Sequence, residues 1–154
     1  MELFIVPKGK GKYSVTDKKD RKIYSVAKKA FSQLLVLHDA SGYALYSLRQ
    51  TSEGMKPTFK VEFNDAPFMT VTCKSIYLDP SLIFEGQGMK YKIKSSDRMN
   101  FTIVKNDHPV GKIVTEKQVN NEQKYFIEIE DKAFDDYIPL FAVCIDKCFS
   151  DLNK

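Results

Sequence analysis

Two histidines and three cysteines are all that these 154 residues offer of the side chains that most often do chemistry near neutral pH. That scarcity excludes a good deal. A nucleophile–base–orienter set has only His38 and His108 to draw on. Each sits beside an aspartate in a turn-like stretch, His38-Asp39 and Asp107-His108-Pro109, where turn chemistry accounts for the pattern better than catalysis does. Zinc-type spacing is missing, because Cys144-x-x-x-Cys148 has no second ligand pair nearby. Cys73, Cys144 and Cys148 are an odd and sparse set, which suits a reduced, cytoplasmic protein better than a disulfide framework. No Gly-x-Ser-x-Gly, phosphate-loop or dinucleotide fingerprint occurs. Gly9-Lys10-Gly11-Lys12 is glycine-rich and basic but lacks a strand-to-helix context, and reads as a hairpin tip. Long apolar runs are missing too. Nothing approaches the roughly 20 residues that cross a bilayer, and Met1–Pro7 lacks the basic start and long apolar run of a secretory signal. The chain is therefore expected to have no catalytic residues, no metal site, no cofactor and no transmembrane segment.

What is present is a globular composition. Apolar residues make up 43% and charged residues 29%, well away from the disordered range. The length fits one domain over residues 1–154 with a sizeable core. Charge is uneven along the chain: residues 1–60 carry a balance of +7 and residues 61–154 a balance of −3. Lys18, Lys19, Arg21, Lys22, Lys28 and Lys29 are the densest part of the basic half. They are the candidate ligand-binding set, suited to an anionic headgroup or another phosphate-bearing ligand. Solvated loop tips and outward strand positions would give the same pattern. Nucleic acid is the less favoured partner. Its stacking platforms would have to be residues such as Tyr13 and Tyr24, whose period-two placement fits sheet packing as well. The acids Glu128, Glu130, Asp131, Asp135 and Asp136 crowd one stretch. A calcium loop alternates its oxygen ligands around a glycine, whereas Lys132-Ala133-Phe134 interrupts these. Helix capping and outward strand positions account for them better.

Short β-runs recur with turn signals every 8 to 12 residues, the pattern of an all-β domain. Phe59, Val61 and Phe63 alternate with Lys60 and Glu62. Met89, Tyr91 and Ile93 alternate with Lys90, Lys92 and Lys94. Tyr125, Ile127 and Ile129 alternate with Phe126, Glu128 and Glu130. Asp39-Ala40-Ser41-Gly42, Asn64-Asp65, Gly86-Gln87-Gly88 and Asn106-Asp107 read as turns. About twelve strands result. The stretches beginning at His38, Asn64 and Lys105 echo one another, each a polar turn followed by a β-run, as any meander with Asx turns would.

The last segment differs. From Asp135 to Leu152 the pattern predicts a helix apolar on nearly every side. Ile138, Phe141, Ile145, Phe149 and Leu152 form one face, and Leu140, Val143 and Cys144 fill the others. Asp135 or Asp136 is placed to cap its start, and Pro139 is tolerable only in its first turn. A membrane-surface helix would need a broad Lys/Arg face that is missing here. A helix apolar all round has to be enclosed, and the preceding sheet is the available wrapping. The expected fold is therefore mainly β: about twelve antiparallel strands closed into a barrel around a buried C-terminal helix.

Together these segments resemble the tubby C-terminal-like superfamily, and within it the LURP-one-related and phospholipid-scramblase-like branch, small bacterial members included. The resemblance rests on Tyr24-Ser25-Val26 ahead of Phe31-Ser32, and on Leu37-His38-Asp39-Ala40-Ser41-Gly42 with Leu45 and Leu48. Phe101-Thr102-Ile103, Val110-Gly111-Lys112-Ile113 and the closing Ala142-Val143-Cys144-Ile145-Asp146 complete it. It implies a twelve-stranded barrel threaded by its C-terminal helix. Tubby proteins of this superfamily bind phosphoinositide headgroups through Lys and Arg on the barrel. Those positions do not map onto this chain one by one, so its own basic cluster remains the candidate. Scramblases carry a calcium-binding acidic segment before the helix; the acids here are spaced differently, so calcium binding and lipid scrambling do not transfer. The functional expectation is a non-enzymatic, cytoplasmic binding domain, peripheral to a membrane where it meets anionic lipid headgroups. The alternative is a structural module for a protein partner with no small ligand.

Overall fold

A computed structural model describes all 154 residues. Twelve strands form: β1 (Glu2–Gly9), β2 (Lys12–Thr16), β3 (Lys22–Lys28), β4 (Leu35–Asp39), β5 (Ala44–Ser52), β6 (Thr58–Phe63), β7 (Ala66–Ser75), β8 (Asp79–Gly86), β9 (Met89–Lys94), β10 (Asn100–Lys105), β11 (His108–Lys117) and β12 (Gln123–Ile129). A 3₁₀ turn (Asp131–Ala133) follows, then α1 (Pro139–Phe149). Each strand pairs antiparallel with its sequence neighbour, and β1 closes the barrel on β12 through Leu3 opposite Ile127 and Ile5 opposite Tyr125. Closure leaves no free sheet edge to recruit another chain.

Alternation along the strands decides which side chains face in. Leu3 and Ile5, Tyr13 and Val15, Phe59 and Val61, Ile127 and Ile129 all point to the interior and belong to one cluster of 34 buried residues. Seven of the eleven residues of α1 lie in the same cluster. Phe141 packs at a tilt against Phe84 at 4.3 Å and edge-on against Tyr91 at 5.0 Å, and Phe149 stacks on Phe101 at 5.8 Å. Each such side chain gains about 1.5–3 kcal/mol on burial, so helix and barrel are each other's core.

The helix is shorter than its apolar pattern. It begins at Pro139, which occupies the first turn as expected, and ends at Phe149. Neither Asp135 nor Asp136 caps it. Asp136 instead accepts the Tyr24 hydroxyl at 2.5 Å, and Asp135 accepts that of Tyr137 at 3.2 Å. The Asp136 bond is tertiary and that of Asp135 is local, and each engages its carboxylate away from the helix amides.

The hairpins turn alternately at the two ends of the barrel. At the end where α1 enters, Asn64-Asp65, Gln87-Gly88 and Asn106-Asp107 make two-residue turns with both φ values positive, the hand that suits a twisted hairpin. The three echoing stretches of sequence are hairpins at this same end, each with a register shift: at Leu37/His38, at Val61/Glu62 and at Ile103/Val104. Gly111 allows one tight contact in this region, since a Cβ there would lie 2.3 Å from the Glu128 carbonyl oxygen. The other end, where α1 leaves, gathers the β1–β2, β3–β4, β5–β6, β7–β8, β9–β10 and β11–β12 loops.

Candidate functional site

Several interior polar groups are engaged with one another, while Arg98 Nε, Thr115 Oγ1 and Gln123 Oε1 are buried without a protein partner. Asp146 is the acidic break in the apolar belt of α1. Its two carboxylate oxygens accept hydroxyls from Tyr13 of β2 at 2.6 Å and Tyr125 of β12 at 2.7 Å. Burial, and after it the Asp146 charge, pushes both phenols above the ordinary tyrosine range. Gln123 donates to the Ser150 carbonyl at 2.9 Å, and Asn153 to that of Arg98 at 2.8 Å, which fastens the tail to the exit end. At the entry end the Tyr91 and Tyr137 hydroxyls share a hydrogen bond of 2.6 Å, and Tyr46 and Phe68 pack against Tyr137 with Phe63 against both of them. The cysteines are core as well. Burial raises the Cys144 thiol, and the neighbouring Cys73 sulfur followed by burial raises Cys148. The Cys144 and Cys148 thiols are therefore poor nucleophiles, while the same sulfur contact lowers the buried Cys73 thiol.

One concavity of 460 Å³ opens at the exit end against Gln123, Asp146 and Ser150; two others lie on the outer wall. A groove of 630 Å³ on the outer wall over β5–β8 is lined by Arg49, Lys60, Glu62 and Glu85 among others. A second of 480 Å³ runs over β3–β6 between Lys28, Lys29 and His38 on one side and Glu62 and Asp65 on the other.

The six candidate residues do not form one patch. Lys18, Lys19, Arg21 and Lys22 lie at the β2–β3 turn, on the entry end; Lys28 and Lys29 lie where β3 reaches the exit end. Two of the first group are already committed. Arg21 pairs with Asp17 at 2.7 Å within its own turn, and Lys18 with Glu2 at 3.3 Å. The same end carries Asp17, Asp20, Asp65, Asp107, Asp131 and Asp136. At the exit end, Lys10, Lys12, Lys28, Lys29, Lys56 and Lys117 are exposed and make no ion pair. The acids there are Glu53, Asp79, Asp97, Glu122, Asp146 and Asp151; Asp79 pairs with Lys74, Asp97 is held inside its own turn, Asp146 takes two tyrosine hydroxyls and Asp151 pairs with Lys154. Exposed lysines without an ion pair occur at the entry end too (Lys19, Lys22, Lys90 and Lys132), but acids outnumber bases there and bases outnumber acids at the exit end, so net charge is sorted along the barrel axis. Sequence reasoning grouped lysines by proximity in the chain and passed over Lys56 and Lys117. Their signal is parity: in an up-and-down barrel every second loop falls at the same end. It also passed over Phe31, Met55, Tyr77, Leu78 and Val119, large apolar residues in exit-end loops.

No helix is long and apolar enough to cross a membrane. The fold is that of a closed twelve-stranded barrel threaded by its C-terminal helix. The LURP-one-related family model matches residues 1–146, and the chain belongs to that family. An X-ray structure of a protein from Arabidopsis thaliana has the same fold, with a TM-score of 0.62 and 16% identity over 99% of this chain and 91% of that one. No curated protein matches the chain.

Proposed function

We propose that this LURP-one-related barrel is a non-enzymatic binding domain that meets anionic phospholipid headgroups at a membrane surface. The observation that carries the reading is the gathering of unpaired lysines at the exit end, Lys28 and Lys29 from the original candidates together with Lys10, Lys12, Lys56 and Lys117. A lysine without a carboxylate partner keeps its charge for an external anion, and each contributes roughly 1 kcal/mol near an anionic leaflet. The buried tyrosines, cysteines and Asp146 serve the core, which leaves the surface to carry the function. Co-sedimentation with phosphatidylcholine vesicles, with and without phosphatidylserine, tests it across a salt series. Binding should require the anionic lipid and weaken steeply with salt. Absence of binding at low salt overturns the reading.

A protein-interaction module is the second reading, favoured by the mixed-charge groove over β5–β8. It predicts a saturable protein partner lost on Arg49→Glu and indifferent to lipid.

A further inference from the structure

We infer that the barrel docks end-on, with the apolar tips of its exit-end loops entering the interface of an anionic bilayer. This rests on the lipid-surface reading above and adds orientation and insertion to it. Of the large apolar side chains left exposed, Phe31, Met55, Tyr77, Leu78 and Val119 all stand on exit-end loops, in β3–β4, β5–β6, β7–β8 and β11–β12. Phe31 and Val119 touch so little that they are 109% and 108% exposed, and Leu78 is 85% exposed. The entry end has no such set. Its Phe63 leans on Tyr46 and Phe68, Met1 is less than half exposed, and Tyr43 alone protrudes.

Phe31 adds a second oddity. It holds φ at +58°, a conformation uncommon for a bulky residue, and it does so with its ring in solvent. Core packing accounts for neither fact. Lysines flank the tips: Lys28 and Lys29 before Phe31, Lys56 after Met55, Lys117 before Val119. Aromatic and aliphatic anchors with basic neighbours are the chemistry of a bilayer interface, where the ring or chain enters the acyl boundary and the ammonium groups stay with the headgroups. A protein interface would instead call for a contiguous, closely packed apolar centre. These side chains are spread over four loops, with lysines close in sequence to the tips of three of them. A fluid bilayer accepts dispersed anchors of that kind.

The chain has no tryptophan, so single-tryptophan probes report without background. Phe31→Trp and Leu78→Trp should blue-shift and be quenched by brominated lipid on vesicles of equal parts phosphatidylcholine and phosphatidylserine. Neither should respond to phosphatidylcholine alone. Tyr43→Trp, at the far end, should stay unchanged on both. The double variant Phe31→Asp/Leu78→Asp should lower vesicle partitioning by roughly tenfold while its melting temperature holds, since neither side chain is packed. Co-sedimentation with silent Phe31 and Leu78 probes, or with a shifted Tyr43 probe, would overturn end-on docking and leave the lipid reading standing. Loss of co-sedimentation itself at low salt would remove both. A probe shift that follows protein concentration without vesicles would assign the tips to self-association and overturn the inference.

Discussion

Single residues show how the interior tolerates charge. Asp146 is the one carboxylate on α1, half-buried near the exit end, and its two tyrosine partners come from strands on either side of β1. Replacing it with alanine leaves two buried hydroxyls unpaired, each costing about 1–3 kcal/mol. Asp146→Ala should therefore lower unfolding stability by about 2–6 kcal/mol in a denaturant titration. Asp146→Asn, which can still accept one hydroxyl and donate to the other, should cost less. A second carboxylate predicts a pH effect. Asp97 organises the β9–β10 turn. Its slight burial works to raise its pKa, but hydrogen bonds from the Asn100 side chain, the Asn100 and Met99 amides and Ser95 Oγ outweigh that and lower it to about 2. A carboxyl depressed on folding contributes stability that is present above its unfolded value near 4 and is lost as pH falls through the folded one. Melting temperature should thus decline between about pH 4 and pH 2, and Asp97→Ala should show a shallower decline in that window from a lower starting point. An unchanged slope would mean that the turn does not depend on the ionised carboxylate.

At the scale of elements, strands were legible and helix ends were not. A strand announces itself locally, because Phe59, Val61 and Phe63 alternate with polar neighbours whatever lies elsewhere in the chain. Paired turns such as Asn64-Asp65 are equally local, since positive φ favours those residue types. The start of α1 is decided at a distance. Asp136 finds Tyr24, 112 positions away, and a carboxylate bound to a barrel wall no longer caps. The apolar pattern of α1 was legible because enclosure demands it. Its contacts specify a further outcome. Phe141 is fully buried against Phe84 and Tyr91, and the closed wall leaves little room for collapse into a void. Phe141→Ala should cost about 3–5 kcal/mol, measured by chemical denaturation. Removal of the chain from Ile138 onward should abolish cooperative folding, since the inward faces of all twelve strands would lose their filling. A soluble truncated protein with a sharp thermal transition would show that the barrel packs without its helix.

Across the whole molecule, the candidate surface was less legible than the fold because it depends on which end of the barrel each loop reaches. Lys18 to Lys29 form one cluster in sequence, but β3 carries the chain from one end to the other between them. Seven strand residues at about 3.3 Å each span roughly 20 Å. The Debye length is about 8 Å at physiological ionic strength and about 30 Å at 0.01 M. The two lysine groups are therefore electrically separate in the first condition and coupled in the second. This sets up a paired comparison. Lys28→Glu/Lys29→Glu reverses charge beside the tips, whereas Lys18→Glu/Lys19→Glu makes the same formal change at the entry end. Both pairs are exposed, so neither variant should unfold the protein. At physiological salt the first should strip most binding to phosphatidylserine-containing vesicles and the second should leave it nearly intact. At low salt the second should weaken binding too, because the bilayer then senses the charge of the whole barrel. Equal losses from both variants at physiological salt would mean that the barrel lies on its side, with β3 along the membrane. A larger loss from the entry-end pair would place the docking face at the acidic end, against the charge sorting that motivates the proposal.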